Sequence, residues 1–218
     1  MKKINPFIVL EAINGAGKTT QFNLLNAALE KAGYAPHSYH FHQRDRATGQ
    51  VIEYKFHHDK MGRQSFTQRE QALLYIQDFY SRAEDFVALR QATGEHIIIA
   101  DRFYTSTLAY QTIGLSGEKR RKMIAWIKWL CEQGEPRLLK PDLVILLDTP
   151  VHISAKHLIG TKRDFFEQEK NLAAIRRSYL RLAEEEGWIV INSADERGRQ
   201  RLVEDIHQEI WQHVTKLL

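Results

Sequence analysis

Residues Asn14-Gly15-Ala16-Gly17-Lys18-Thr19-Thr20 bring two glycines, a lysine and two hydroxyls together within seven positions. This is the chemistry of a phosphate cradle. Backbone N–H groups of a glycine-rich turn and of a helix N-terminus converge on one anion. The phosphate-loop pattern G-x-x-x-x-G-K-[ST] is met at Gly17, Lys18 and Thr19, with Ala12 where the first glycine belongs. An alanine is tolerable there if its φ is negative. Gly15 and Gly17 permit the backbone angles and the close approach to a phosphate. Lys18 sets a point charge on β- and γ-phosphates, and Thr19 offers a hydroxyl to Mg²⁺. Farther along, Asp101-Arg102 joins an acid that could hold Mg²⁺ through water to a guanidinium that could clamp a phosphate. A surface ion pair would read the same way.

These groups need elements to carry them. Phe7 to Leu10 reads as a strand, and the cradle follows it. Phe22, Leu25, Ala28 and Leu29 recur at helical spacing, which predicts a helix over 18–31 closed by Gly33. A weaker strand lies around Ser38 to His42. Thr67 to Arg90 reads as one long helix, opened by a capping box at Thr67 and Glu70 and stopped by Gly94. His96 to Ala100 is a β-branched strand, followed by helices near 105–112 and 118–132. Leu143 to Leu147 is the most apolar strand. Thr149 is placed to cap the next helix and Pro150 to open it. A charged helix over 168–186, a strand over 188–191 and a last helix opened by Ser193-Ala194-Asp195-Glu196 complete the chain. Continuous apolar strands alternating with helices imply an α/β fold: a five-stranded parallel sheet with helices on both faces. Ligands then bind beyond the C-terminal strand ends, after Leu10, His42, Ala100 and Leu147.

Composition narrows the class. The 218 residues are 43% hydrophobic and 27% charged, with a formal charge of +4. That excludes a disordered chain and suits a single domain over 1–218. No repeat or linker interrupts it, no apolar run reaches bilayer length, and residues 1–6 lack a signal-peptide core. One cysteine, Cys131, excludes an internal disulfide framework. The expectation is a cytoplasmic protein with no membrane partner. His37, His40 and His42 lack the companions of a metal site. Lys119-Arg120-Arg121-Lys122, near Trp126 and Trp129, reads as a solvated helix face rather than a nucleic-acid surface.

The segments Phe7 to Gln21, Phe41-His42-Gln43-Arg44, Asp101-Arg102-Phe103 through Ser106-Thr107-Leu108-Ala109-Tyr110-Gln111, Leu147-Asp148-Thr149-Pro150 and Arg163-Asp164-Phe165-Phe166-Glu167 resemble, in order and spacing, the thymidylate kinase family. The resemblance implies a P-loop kinase fold and ATP- and Mg²⁺-dependent phosphorylation of a nucleoside monophosphate, dTMP first. It implies that Asn14 to Thr20 bind ATP, with Thr19 and Asp101 at the metal. Arg44 and Arg102 would hold the acceptor phosphate, Tyr75 would stack on its base, and Tyr110 would pack under its sugar and disfavour a 2′-hydroxyl. Residues 157–167 would form a mobile lid with Lys162 and Arg163 as its cations, and Glu167 would approach the acceptor or the metal. A homodimer packed through helices of the acceptor side is also implied.

Three positions depart from the family pattern. Asn14 stands where an acid is usual, Phe79 where an arginine reads the base, and Phe165 where many members carry a lid arginine. Phe79 is either at the acceptor site or in the core. Arg82, one turn on, is either a solvated charge or a replacement donor. Alternative functions follow: phosphorylation of dUMP, dCMP or a purine nucleotide, a kinase for a non-nucleotide acceptor, or a nucleotide-binding protein without turnover. Arg44 with Arg102 argues against the second. Lys18, Thr19, Asp101, Arg102 and Arg163 argue against the third.

Overall fold

The structure is a computed structural model, and it describes residues 4–58, 65–134, 137–159 and 168–218. Five strands form one parallel sheet in the order β2-β3-β1-β4-β5. They are β1 (Phe7–Ala12), β2 (Ala35–His40), β3 (His96–Asp101), β4 (Leu143–Asp148) and β5 (Ile189–Asn192). Every side chain of β1 is buried. Successive side chains of a strand point to opposite faces, so both faces of the sheet are covered, and the sequence runs apolar without alternation. The edge strand β5 alternates in exposure instead, and edge strand β2 has no fully buried residue.

The helices are α1 (Lys18–Lys31), α2 (Ala47–Glu53), α3 (Gln68–Tyr80), α4 (Ala83–Gln91), α5 (Tyr104–Gln111), α6 (Gly117–Lys128), α7 (Val151–His157), α8 (Glu169–Glu186) and α9 (Val203–Thr215). π-Helical turns extend α2 through His58 and α6 through Gln133. α1 packs on α9, while α5 packs on α3, α6 and α8.

Four expectations need correction. The helix over 67–90 is two helices: Ser81 turns its hydroxyl back onto the Asp78 carbonyl at 2.6 Å, and Arg82 leaves helical geometry at φ −121°. The weak strand begins at Ala35 and ends at His40. Pro150, not Thr149, caps α7. Ser193 to Glu196 opens no helix: an Ala194–Gln200 bridge closes a turn there, and α9 starts only at Val203. Asp195 accepts from the N–H groups of Arg197 and Arg199, so its carboxylate serves that turn. No helix among the described residues is long and apolar enough to cross a membrane.

Candidate active site at the strand ends

The central strand β1 delivers the chain into the phosphate loop. Gly15 and Gly17 adopt φ of 76° and 85°, in the left-handed region open to glycine, while Ala12 stays in extended β geometry. A Cβ on Gly15 would lie 2.5 Å from the Ser154 carbonyl, so the loop sits directly on α7. Lys18, the first residue of α1, is buried and pairs its Nζ with Asp101 at the end of β3. Burial and the nearby Arg102 guanidinium hold the Lys18 pKa well below the ordinary lysine value, and Glu11 opposes them. Thr19 and Thr20 are exposed on the first turn of α1. Register makes this possible, because Leu10 of β1 lies beside Asp101 of β3 and Ala12 beside Leu147 of β4.

Arg102 is the one non-glycine residue with positive φ, 69°, among the described residues. Such geometry persists where the surroundings fix it, and here they do. Its guanidinium donates to Asn14 Oδ1 at 2.6 Å, to the Tyr179 hydroxyl at 3.2 Å and to the Tyr110 hydroxyl at 3.3 Å, and it lies 5.5 Å from the Tyr110 ring centroid. Burial works against its charge, but the Tyr110 and Tyr179 hydroxyls and Glu11 hold its pKa above the ordinary arginine value. Asn14 therefore orients this arginine without neutralising it.

Glu11 was not singled out from sequence. It is 0% exposed. Its carboxylate accepts from Thr105 Oγ1 at 2.5 Å, Ser106 Oγ at 2.6 Å, the Tyr179 hydroxyl at 2.8 Å and the Phe103 N–H at 3.2 Å. It thus ties the segment that follows Arg102 back to the central strand. Asp148 was missed in the same way: Arg176 of α8 grips it through Nε at 2.5 Å and Nη2 at 2.7 Å. The one available signal was an acid inside or ending an apolar strand. Gln111 of α5 is buried, and its Nε2 has no partner among the described residues.

On the acceptor side, Tyr75 is half-buried and stacks on Phe56 at 5.6 Å. Phe79 is 2% exposed, with its ring edge-on to Phe41 at 4.9 Å and beside Phe103 at 5.1 Å, so the core reading of this residue holds. Arg82 is committed elsewhere: it donates to Gln43 Oε1 at 2.9 Å and Asp45 at 2.8 Å, and it lies over the Tyr39 ring. Arg44 has a 76% exposed side chain and pairs with Glu53 at 3.4 Å beside a cleft of about 260 Å³. Its loop is well fixed. Buried Asp78 accepts from Gln43 N–H at 2.8 Å and Thr48 Oγ1 at 2.6 Å, and a Cβ on Gly49 would strike the Gln43 carbonyl at 2.0 Å. Lys162, Arg163, Phe165 and Glu167 lie outside the described residues, as does most of the expected lid.

A second cavity, of about 340 Å³, opens beside the phosphate loop between Gly17, Gln21, His157, Gln200 and Val203. The loop, its buried lysine and the fixed arginine together can grip phosphates at adjacent strand ends.

The chain is similar to known proteins. The family model described as thymidylate kinase matches residues 10–210. A probable thymidylate kinase of Methanothermobacter thermautotrophicus is 32% identical over 213 residues, covering 95% of each chain. One of Thermococcus onnurineus is 33% identical over 211 residues, covering 94% of each. The solved thymidylate kinase of Candida albicans matches in fold with a TM-score of 0.70 at 20% identity, covering 98% of this chain and 92% of the other.

Proposed function

This chain belongs to the thymidylate kinase family, and on that premise we propose that it transfers the γ-phosphoryl group of ATP to the phosphate of dTMP. The observation that carries the reading is the pairing of a seated phosphate loop with a second fixed cation. Lys18, opening the helix that follows β1, and Arg102, directly after β3, stand beyond two adjacent strands, one for each phosphorylated substrate. Phosphoryl transfer is mostly positioning and electrostatic stabilisation, and these two charges do both.

Donor phosphates entering the loop meet its N–H groups, and Lys18 exchanges Asp101 for the β/γ oxygens. Arg102, held by Asn14, Tyr110 and Tyr179, meets the acceptor phosphate without reorganising. Arg44 adds a further charge to the same phosphate, Tyr75 stacks on the base, and Tyr110 lies under a 2′-deoxy sugar. Lys162 and Arg163 would supply cations over the transferring group, with Glu167 close by.

Magnesium bound mainly by nucleotide phosphates and water needs only one or two protein oxygens. The exposed Thr19 hydroxyl beside Lys18 and the Asp101 carboxylate are suited to that task. When bound, the ion would neutralise charge on the β- and γ-phosphate oxygens. The cavity beside Gln21 and His157 would take the donor base. We read the working form as a cytoplasmic homodimer.

The test is ADP release with ATP, Mg²⁺ and a panel of dTMP, dUMP, dCMP and purine deoxynucleotides. dTMP should give the highest kcat/KM, and Lys18→Ala should lower kcat at least about 10²-fold. Preference for another base would overturn the acceptor assignment. No turnover with any monophosphate would overturn the kinase reading.

A further inference from the structure

Two carbonyls of the phosphate loop are held by side chains, and both tethers lead to the same distant segment. His157, the last residue of α7, faces the Gly15 carbonyl through Nδ1 at 2.7 Å. A carbonyl only accepts, so Nδ1 carries the proton. The other ring nitrogen, Nε2, stands 3.1 Å from Gln200 Oε1; with the proton on Nδ1 it accepts, so the Gln200 amide turns its N–H₂ to this nitrogen. In parallel, the Thr149 hydroxyl donates to the Ala16 carbonyl at 3.3 Å, and Ser193 Oγ donates to Thr149 at 2.7 Å. Ser193 and Gln200 flank one turn, closed by the Ala194–Gln200 bridge and by the Arg201 N–H on the Ser193 carbonyl at 2.9 Å. Helix α1 joins this turn's far end, because Gln21 Nε2 donates to the Val203 carbonyl at 2.9 Å. His157, Ser193, Gln200 and Val203 also line the cavity beside the loop.

We propose that His157 is a positioning residue of the donor-nucleotide site, fixing the phosphate loop through Gly15 and the turn over 193–202 through Gln200. The loop must hold its N–H groups inward against a polyanion. Its carbonyls must therefore point outward and find donors there. His157 and Thr149 are those donors. The turn sets where they stand, so the cavity is shaped before the nucleotide arrives and less ordering is left for binding. This rests on ATP being the donor, as proposed above.

The experiment is titration of the full chain with a fluorescent N-methylanthraniloyl ADP, alongside steady-state kinetics. His157→Ala should weaken binding of the analogue about tenfold, the scale of one well-placed hydrogen bond. It should raise KM for ATP in step, with kcat and the acceptor KM nearly unchanged. His157→Asn places an amide N–H where Nδ1 stands, so it should recover most of the loss. Gln200→Ala should move the same constants in the same direction by less. Wild-type affinity in His157→Ala, or no recovery in His157→Asn, would overturn the proposal. Wild-type protein that binds the analogue yet phosphorylates no monophosphate would sink the kinase reading and leave this one standing. Wild-type protein that does not bind the analogue would overturn both.

Discussion

Glu11 is a fully buried carboxylate, surrounded by Thr105, Ser106, Tyr179 and the Phe103 N–H. All of these donate, so only an acceptor fits among them. Glu11→Gln places an amide N–H₂ against hydroxyls already pointing inward and removes the negative charge beside Arg102 and Lys18. Breaking a buried charge network of this kind costs roughly 3–5 kcal/mol. Urea unfolding should report a loss of that size, against about 1 kcal/mol for Tyr179→Phe, which removes one hydrogen bond. A loss under 1 kcal/mol for Glu11→Gln would show that the network does not depend on the charge at this position. The phosphate loop was legible in the sequence because its chemistry is local. Its glycines, lysine and threonine act at neighbouring positions and have few alternative uses. Glu11 was not legible, since its side-chain donors lie between 94 and 168 residues away in the chain. Phe79 was ambiguous for a related reason: helical spacing gives its face relative to Tyr75, but only the packing of Phe41 and Phe103 tells which layer that face meets.

Elements were read best where their ends carry local chemistry. The bounds of α1 came out as expected, since a glycine precedes it and another stops it. At α3 the Thr67 hydroxyl accepts from the Glu70 N–H, and the Glu70 carboxylate accepts from the Thr67 N–H at 2.7 Å. The same pattern at Ser193 opens no helix because the Ala194–Gln200 bridge and the Arg201 N–H on the Ser193 carbonyl fold the segment into a turn, which no local pattern encodes. The break at Ser81 was missed because Ser and Arg are tolerated inside helices, and a side chain returning to a carbonyl one turn back is not visible as a spacing. The working cap gives a measurable consequence. Thr67→Ala should lower stability by about 1 kcal/mol. The backbone and hydroxyl of Thr67 hold the Glu70 pKa below its usual value. A carboxylate with a lowered folded-state pKa contributes above its unfolded value, near 4.3, and loses that contribution as pH falls through the folded value. The melting temperatures of wild type and Glu70→Ala should therefore differ at neutral pH and converge in acid. A gap that is constant with pH would show that the carboxylate charge plays no part.

At the scale of the whole molecule, alternation of strands and helices was enough to imply a parallel sheet, but not its order. The order matters because it sets β3 and β4 on either side of β1 and so gathers three strand ends around one loop. Pairing between strands far apart in sequence leaves no mark in either one. The same limit applies to assembly, which only the family resemblance suggested. The structure adds an observation: α2, its π-helical extension and α3 pack together, and they carry Val51 at 46%, Tyr54 at 58% and Leu73 at 46% exposure. On the homodimer proposed above, these exposed apolar side chains on neighbouring elements are where a second copy would seat. A second copy seated there would also brace α3, which carries Tyr75. Sedimentation should therefore give twice the 25.4 kDa chain mass at micromolar concentration. Leu73→Glu should shift the protein toward the single-chain mass, because a charge buried at the interface without a partner is costly. With α3 no longer braced, KM for the acceptor should rise several-fold while KM for ATP, bound on the α1 and α7 side, stays nearly constant. Wild-type protein sedimenting as a single chain would remove the dimer. A Leu73→Glu protein that remains dimeric would move the interface to another face.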